Sequence, residues 1–517
     1  MFKDNLFPGL RFFLIIFISV FPWITEAAER ESKTMVLDNG LAVLLIHDED
    51  VHRSAASLSV GTGQLYDPKG KMGLAHYLEH MLFLGTEKFP DVEAFKKFLN
   101  ENSGSSNAYT AKALTNYFFE VSHEGFVGAL DRFSQFFKAP LFDKKYSARE
   151  VNAVSSEHDK NIRSDGWRGN YLQDLMAKED HPLRNFGTGN KETLAGDNRP
   201  ALLEFYKKYY ASSNMKLVIL SNQSLSEQSN LAREYFGGIP DRAVTLPVID
   251  PDYRDPLNNK YRLLKIKTIK DVRSLSIEFP TIHLKDHLAS KPATLVGSVI
   301  GYEGKGSLLS KLKEEGLALG LSAGGGYSHP SINSFSVSIS LTQKGLEEYE
   351  RVLELLFAYI QLLKDAGIQK YTFDEEATMS EIDFKYKDPD EGGGFVASRS
   401  GLMHDYKLED VETLPFLFKE FDPVVCKLLI DTLTPENALV ILQSNSVATD
   451  KKEKYYGTEY SITEIGGDSF QRLKNPSRVT GISYPAKNNF IPYGLKQVEE
   501  DPHLVWDDEM GKVWFKF

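Results

Sequence analysis

The motif His76-Tyr77-Leu78-Glu79-His80 constrains this chain more strongly than any other stretch of its 517 residues. It lies within an apolar run, residues 74–84, that contains no proline or glycine, and such a run predicts a helix buried on most sides. On a helix, residues four apart share a face, so His76 and His80 can bind one Zn2+ together. Glu79 projects towards the same side, where its carboxylate can accept a proton from water.

The order H-x-x-E-H in this motif is the inverzincin arrangement, the reverse of the commoner H-E-x-x-H. The chain holds only 12 histidines, so two of them four apart beside a glutamate are not expected by chance. The alternative is a surface helix that carries two incidental histidines. Because surface helices contain fewer apolar residues than this run, we favour the zinc interpretation.

Composition limits the remaining classes of protein. A chain of 517 residues is too long for one hydrophobic core and predicts several domains. The net charge of −12 disfavours nucleic acid and anionic membrane surfaces as partners. The single cysteine, Cys426, excludes an intramolecular disulfide, and its apolar neighbours predict a small buried side chain rather than a nucleophile.

Residues 1–28 have the pattern of a secretory signal peptide. Lys3 and Arg11 precede the apolar block 12–21, and residues 25–28 then supply small side chains for cleavage. The block is short for a membrane span, and an uncleaved anchor is the alternative. We therefore expect a secreted or periplasmic protein that has no membrane attachment after the signal is cleaved.

Strand and helix patterns alternate along the mature chain without a regular βαβ rhythm, which predicts an α+β fold. The proline-rich residues 247–256 are typical of a linker. The domains predicted on either side are 29–250, which carries the zinc motif, and 251–495, where the same order of patterns restarts without the motif. The second domain is therefore expected to be a similar, non-catalytic copy. Residues 496–517 are predicted to be a linker-like segment.

Three glycine-rich stretches do not have the features of nucleotide sites. Residues 301–306 lack both the Lys-Ser/Thr of a P-loop and the spacing of a dinucleotide fold, which predicts a tight turn. Residues 324–326 and 392–394 are each three consecutive glycines, which predicts flexible or closely approached loops.

A catalytic zinc site uses three protein ligands and keeps one open position. Glu150 and Glu157 lie seven residues apart in a helical pattern, so they share one face of a helix. From the residues alone both carboxylates are candidates for the third ligand, and a solvated helix carboxylate is the alternative for each. His158 is predicted to be a neutral residue at the surface or behind a ligand.

Beyond these patterns, the chain resembles the insulysin/pitrilysin family of zinc metallopeptidases. The resemblance implies that His76 and His80 are zinc ligands, that Glu157 is the third ligand and that Glu79 is the general base. It makes Glu150 a catalytic-site carboxylate that supports the ligands. The matching stretches are residues 73–89, 104–110, 116–123, 128–142, 150–161, 186–190, 301–309 and 456–460.

The resemblance also implies a fold and a way of binding substrate. It predicts two similar α/β-layered domains, with mixed, largely antiparallel sheets packed with helices, as in one half of an insulysin-like clamshell. One Zn2+ per chain would serve the hydrolysis of peptides and small polypeptides. A peptide would add as a strand to an exposed sheet edge, which Asn107, Ala108 and Tyr109 match. Ser322, Ala323 and Gly324, with the turn at 301–306, match the region that binds a peptide's N-terminus in relatives.

Residues 512–517 resemble the start of the segment that connects the two halves of family members. In the family, the second half supplies an arginine and a tyrosine near the zinc. We therefore expect a zinc endopeptidase whose full activity needs a complementary C-terminal-half subunit or another copy in a homo-oligomer. The alternative is a non-catalytic peptide-binding or subunit-type protein on the same fold. Neither hypothesis involves nucleic acid.

Overall fold

A computed structural model describes residues 30–254, 257–387, 390–492, 503–508 and 511–515. The predicted signal peptide, residues 1–28, lies outside the described residues, as does part of the predicted linker-like segment 496–517. Within the described part of that segment, two strands form a separate antiparallel hairpin.

The strands follow the chain in two groups, each of which builds one mixed sheet, before the final hairpin. Their bounds are β1 (Glu31–Val36), β2 (Ala42–His47), β3 (Ser54–Val60), β4 (Ser105–Thr110), β5 (Thr115–Val121), β6 (Met215–Ser221), β7 (Tyr261–Ile266), β8 (Arg273–Pro280), β9 (Ala318–His329), β10 (Ile332–Leu341), β11 (Leu439–Ser444), β12 (Lys451–Lys452), β13 (Glu459–Ile465), β14 (His503–Asp508) and β15 (Gly511–Phe515).

The helices pack on the faces of these two sheets. Their bounds are α1 (Leu74–Leu82), α2 (Ala94–Glu101), α3 (Phe126–Gln135), α4 (Lys144–Asn161), α5 (Asp165–Asp174), α6 (Arg199–Tyr209), α7 (Leu225–Phe236), α8 (Pro292–Ile300), α9 (Leu308–Glu314), α10 (Gln343–Glu347), α11 (Tyr349–Ala366), α12 (Lys370–Tyr386), α13 (Gly392–Leu402), α14 (Pro423–Thr432) and α15 (Gly467–Lys474).

Five strands of the second sheet, β7 to β11, repeat the arrangement of β2 to β6 in the first. The first sheet has the order β1-β2-β6-β3-β5-β4, and the second has the order β12-β13-β7-β11-β8-β10-β9. In each, one parallel pair (β2 with β6, β7 with β11) is followed by antiparallel pairs out to an edge strand, β4 or β9. The α+β prediction of two similar layered units is therefore confirmed, and the two edge strands hold equivalent positions.

Alternating apolar residues place the first core on one face of the first sheet. Tyr117, Phe119 and Val121 of β5 all point into a core that also receives α1, α2, α3 and α7. Aromatic rings fill this space, with Phe95 packed edge-on against Phe119 at 5.8 Å. Each such buried ring removes a large apolar area from water. This core supports the inner side of α1.

The opposite face of the first sheet is covered by a helix from the second group. Val396 of α13 is fully buried, and it packs with Met403 against apolar residues of β2 and β6. Polar contacts reinforce the packing, because Ser400 Oγ lies 2.8 Å from Ser57 Oγ of β3. The helix at residues 392–402 thus covers the second face of the sheet that residues 31–221 form.

The exchange is reciprocal, because a helix from the first group covers the second sheet. Leu172 of α5 is fully buried against apolar residues of β7 and β11. The predicted linker between the groups is also anchored, since Ile249 and Tyr253 are buried and the Tyr253 hydroxyl donates to Asn333 O at 3.1 Å. The two units are therefore interlocked through exchanged helices as well as joined in sequence.

Two glycine-rich stretches differ from the loop prediction. Residues 324–326 lie inside β9, where they pair in register with residues 334–336 of β10. A central strand would lose packing at three glycines, but β9 is an edge strand. Residues 392–394 begin α13, and a Cβ at Gly393 would lie 2.9 Å from the ring of Phe118. Gly393 lets the helix approach the sheet, so the predicted close approach holds there, while the assignment to loops is wrong at both places.

The described part of the chain contains no helix with both the length and the apolarity that a membrane span requires.

The exchanged position of α5 predicts that its packing contributes to the stability of the second sheet. Leu172→Ala leaves a cavity at a fully buried site and is expected to lower the free energy of unfolding by about 2–5 kcal/mol. The control is Leu428→Ala in α14, whose side chain is half exposed and whose loss should cost within about 0.5 kcal/mol. Equilibrium urea denaturation measures both, and equal effects would contradict the packing of α5 described above.

Candidate metal centre

The buried start of α1 fixes the orientation of the zinc motif. The carboxylate of Asp67 accepts hydrogen bonds from the backbone N–H of Gly73 at 2.6 Å and of Ala75 at 2.8 Å, which caps the helix. Burial raises the pKa of Asp67 to about 7, against the effect of these bonds. Gly73 has φ +85°, and a Cβ there would lie 2.3 Å from Gly189 Cα. The helix therefore begins in close contact with the loop around residue 189.

The outer side of α1 presents three of the predicted site residues. His76 and His80 are half-buried with ring centroids 4.8 Å apart, while the apolar residues of the helix pack inward. Glu79 is buried beside them and accepts a hydrogen bond from Thr110 Oγ1 at 2.6 Å. The helical prediction for the motif is confirmed.

The fourth residue comes from α4, which packs against α1. Glu157 Oε2 lies 3.5 Å from His76 Nε2 and 3.6 Å from His80 Nε2. All three ligand atoms lie within 4.8 Å of one another. Four donors at 2.0–2.1 Å around a tetrahedral zinc are spaced by roughly 3.4 Å, so these three fit one Zn2+ and leave a fourth position open.

Contacts on the far side of each ring determine which imidazole nitrogens face this point. His76 Nδ1 lies 2.7 Å from the carbonyl oxygen of Thr188. A carbonyl only accepts hydrogen bonds, so Nδ1 carries a proton, and Nε2 is the nitrogen that faces Glu157 and can bind a metal once any proton on it has left. On the other histidine, His80 Nδ1 lies 3.6 Å from Glu150 Oε2, and Arg149 Nε donates to Glu150 Oε1 at 2.8 Å. Glu150 is therefore placed behind His80 rather than among the three ligand atoms.

The groups in the cluster shift one another's protonation in the metal-free protein. Burial lowers the pKa of His80, but the carboxylates of Glu150 and Glu157 raise it more strongly, to about 9. The pKa of His76 is also raised, by Glu157 and Glu79 against the effect of burial. The two imidazoles, whose Nε2 atoms lie 3.5 and 3.6 Å from Glu157 Oε2, hold the pKa of Glu157 well below its usual range. In the metal-free site these shifts favour protonated imidazoles beside an ionised Glu157 carboxylate.

Glu79 has a different environment from Glu157. Burial raises its pKa above the ordinary range for a glutamate, although His76 and Thr110 oppose the shift. A carboxylate whose pKa moves towards neutrality is better matched to accepting and returning a proton near pH 7.

The cluster opens into a cavity of about 820 Å³, one wall of which is the edge strand β4. Asn107, Ala108 and Tyr109 line this cavity, as their predicted role in substrate binding requires. The structure therefore brings the predicted ligands, the predicted base and the predicted edge strand together.

The second predicted substrate segment lies elsewhere. Ser322, Ala323 and Gly324 are on β9, the edge of the second sheet, and line a separate cavity of about 380 Å³. The turn at 301–306 lies beside this strand, since a Cβ at Gly301 would be 3.9 Å from Ala323 N. These residues do not take part in the metal cluster.

Sequence reasoning missed several residues that position the cluster. Thr110 orients Glu79, Thr188 fixes the tautomer of His76, and Asp67 caps α1. Thr110 and Thr188 lie in stretches that carry the family resemblance, but no spacing pattern links them to the motif. His158 was predicted to be neutral and at the surface or behind a ligand. The surface alternative is wrong, because His158 is buried, with Nε2 3.0 Å from Tyr455 O.

Comparison with known protein families finds related domains along most of the chain. "Insulinase (Peptidase family M16)" matches residues 42–179, "Peptidase M16 inactive domain" matches residues 198–379, and "Middle or third domain of peptidase M16" matches residues 384–517.

Individual relatives agree with these matches. The chain is 39% identical over 510 residues to insulin-degrading enzyme from Homo sapiens, an alignment that covers 95% of this chain and 50% of the relative. It is 37% identical to the A-factor-processing enzyme from Saccharomyces cerevisiae, covering 94% of this chain and 49% of the relative. The chain thus spans about half the length of these curated relatives. The crystal structure of pitrilysin superposes with a TM-score of 0.86 at 30% identity, covering 95% of this chain and 53% of that one.

The geometry predicts separate effects for the two glutamates of α4. Glu157→Gln removes a ligand oxygen with negative charge, whereas Glu150→Gln weakens the support of His80. We expect zinc affinity to fall roughly 10–100-fold for Glu150→Gln and further for Glu157→Gln. Competition with a chromogenic chelator measures both. Glu101→Gln on exposed α2 is the control and should bind zinc like the parent, and equal affinity in all four proteins would contradict the ligand assignment.

The raised pKa values predict that zinc displaces protons. At pH 7.5 the metal-free His80, with a pKa of about 9, holds a proton that a bound metal must replace. Zinc binding should therefore release about one proton or more per site at pH 7.5, and affinity should rise with pH up to about 9. Calorimetry in buffers of different ionisation enthalpy measures the release, and zinc binding without it would show that the imidazoles are neutral in the free protein.

Proposed function

The chain belongs to peptidase family M16, and on that premise we propose that it is a zinc-dependent endopeptidase acting on peptides and small polypeptides. One observation supports this most strongly. Two imidazoles and a carboxylate converge within 4.8 Å at the wall of a cavity, with a second carboxylate, Glu79, beside them. Relatives whose names describe peptide-degrading and peptide-processing enzymes support the same class of reaction.

In this proposal His76, His80 and Glu157 hold one Zn2+ per chain. Zinc bound there supplies Lewis-acid chemistry, which polarises a carbonyl group and makes water nucleophilic near pH 7. The hydrogen bond to Thr188 orients the imidazole of His76, and the carboxylate of Glu150, 3.6 Å from His80 Nδ1, is placed to orient that of His80. The domain at 29–250 is therefore the proposed catalytic unit, and the domain at 251–495 the proposed non-catalytic one.

Glu79 is the proposed general base. Its carboxylate takes a proton from the attacking water and later gives it to the amide nitrogen of the leaving peptide. The hydrogen bond from Thr110 holds this carboxylate beside the two imidazoles. Thr110 is itself the last residue of β4, so the base is positioned by the strand proposed to bind the substrate.

Substrate is proposed to bind by strand addition to β4. In the described part of the sheet β4 pairs only with β5, so its other edge has backbone groups directed towards the cavity. Backbone pairing recognises an extended peptide with little regard to sequence. The side chains of Asn107 and Tyr109 then contact alternate residues of the peptide. The equivalent edge of the second sheet, with Ser322, Ala323 and Gly324, is the proposed site for the peptide's N-terminal end.

We further propose that full activity needs a complementary C-terminal-half subunit or a second copy of this chain. The support is that the chain spans about half of its curated relatives and that the metal cluster lies on a cavity wall. Excluding water from such a site strengthens the electrostatic stabilisation of the reacting groups. We also propose that the protein acts in a secreted or periplasmic location, as residues 1–28 suggest.

The proposed base gives a direct test of catalysis. Glu79→Gln keeps the shape of the side chain but cannot accept a proton, so cleavage of a quenched fluorescent peptide should fall by about 10²–10⁴-fold. Zinc content should stay at one per chain, because Glu79 is not a ligand in this geometry. Glu101→Gln, on the exposed side of α2, is the control and should match the parent.

The outcomes separate the two functional hypotheses. Parent and Glu79→Gln proteins with equal rates, both indifferent to chelator, would contradict the peptidase proposal. Peptide binding that survives chelation, without cleavage, would then favour the non-catalytic peptide-binding or subunit-type protein.

The need for a partner predicts a dependence on concentration. If a second copy completes the site, the rate per chain should rise as the chain concentration rises, in step with the oligomer fraction measured by light scattering. A high rate per chain that is constant while the protein stays monomeric would contradict the need for any partner.

A further inference from the structure

A loop of the second unit packs against the metal centre of the first. Residues 453–458 connect β12 to β13 at the margin of the second sheet. The carboxylate of Glu453 accepts the backbone N–H of Tyr456 at 2.7 Å, and Gly457 adopts φ +63°. These features fold the loop into a fixed turn that carries two adjacent tyrosines towards the first unit.

Tyr456 reaches the first zinc-motif histidine through one intervening residue. Its hydroxyl lies 3.0 Å from Thr188 Oγ1, and the carbonyl oxygen of Thr188 accepts the proton of His76 Nδ1 at 2.7 Å. Tyr456 is almost fully buried, and burial raises its pKa to about 12, so its hydroxyl is neutral at physiological pH. Two hydrogen bonds therefore connect a residue 268 positions beyond Thr188 to an imidazole of the cluster.

Tyr455 contacts the residue that follows the carboxylate ligand on α4. Its carbonyl oxygen accepts a hydrogen bond from His158 Nε2 at 3.0 Å, and His158 directly follows Glu157 on α4. The ring of Tyr455 stacks on Phe186 with centroids 4.3 Å apart and planes 3° from parallel. One turn of the second unit thus contacts Thr188, which binds His76, and His158, the chain neighbour of Glu157.

We propose that Tyr456 is a positioning residue for the metal centre, which sets the orientation of His76 through Thr188. Zinc affinity then depends on how the loop at 453–458 is docked, so the second unit contributes to a site whose ligands all come from the first. This inference rests on the proposed function, because it requires that the cluster binds zinc. Hydrogen-bond partners behind a ligand typically change metal affinity by about 10–100-fold.

The aromatic contacts of the Tyr456 ring do not involve its hydroxyl, so the effect of the hydroxyl on the metal site can be tested without changing the packing. Its ring lies 5.0 Å from that of His158 and 5.7 Å from that of Phe186, so Tyr456→Phe keeps these contacts and removes only the hydroxyl. Thr188→Val likewise removes Oγ1 and keeps the backbone carbonyl that binds His76. Both variants break one and the same hydrogen bond.

The experiment measures the zinc Kd of the full chain by chelator competition for the parent, Tyr456→Phe, Thr188→Val and the double variant. Each single variant should raise the Kd by about tenfold, and the double variant should raise it no further, because the two changes remove one shared bond. Tyr359→Phe is the matched control, since Tyr359 is a buried tyrosine of the second unit whose hydroxyl donates to Val299 O, far from the loop in sequence. Its zinc Kd should equal that of the parent.

The thermal midpoint of the zinc-free proteins provides the second readout. A purely structural hydroxyl would lower this midpoint in Tyr456→Phe and leave the zinc Kd unchanged, and that result would overturn the inference. Losses of affinity that add in the double variant would also overturn it, because the two residues would then act separately. A parent chain that binds no zinc would contradict the proposed function itself, whereas zinc binding by the parent with an unchanged Kd in Tyr456→Phe contradicts this inference alone.

Discussion

The contact between α1 and α4 is the interaction on which the site depends. It places Glu157 Oε2 at 3.5 and 3.6 Å from two imidazole nitrogens. A positive charge on either half-buried imidazole is costly without a partner, and the carboxylate of Glu157, whose side chain is 41% exposed, supplies one. Together they compensate each other, which is why the pKa of His80 rises to about 9 while that of Glu157 falls. In the metal-free protein the protonated imidazoles attract the carboxylate, and a divalent cation can replace the protons and bind the same groups. Because this attraction is available before any metal binds, the fold can form the site in advance.

The rest of the molecule serves to keep those two helices in place. A buried carboxylate, Asp67, caps α1, and the aromatic core of the first sheet supports its inner face. The reciprocal exchange of α5 and α13 means that neither sheet has its full cover without the other unit. The loop at 453–458 adds a further contact between the units, to Thr188 and His158 beside the metal cluster. The repeated topology gives both sheets an equivalent edge strand, yet among the described residues only the first unit brings together a cluster of metal-binding side chains.

Local patterns predicted the parts of this arrangement that depend on local physics. The motif at 76–80 and the alternation in β5 identified a helix and a strand, because the spacing of apolar residues along the chain reflects which side chains are buried. The resemblance supplied Glu157, which spacing alone could not distinguish from Glu150. The three-residue glycine runs at 324–326 and 392–394 were misread, since tertiary packing decides whether glycine loosens a chain or permits close approach. No spacing pattern links Thr188 or Tyr456 to the motif, although both lie in stretches that carry the resemblance, because their contacts form only when distant segments meet.

The central claim is that one cation is bound by His76, His80 and Glu157, and zinc K-edge X-ray absorption tests it most directly. On the purified, zinc-loaded chain we predict one zinc per chain with nitrogen and oxygen donors at about 2.0–2.1 Å and the scattering of two imidazoles, falling to one imidazole in His80→Ala. A spectrum with no paired imidazoles, or a chain that retains no stoichiometric zinc, would contradict the account.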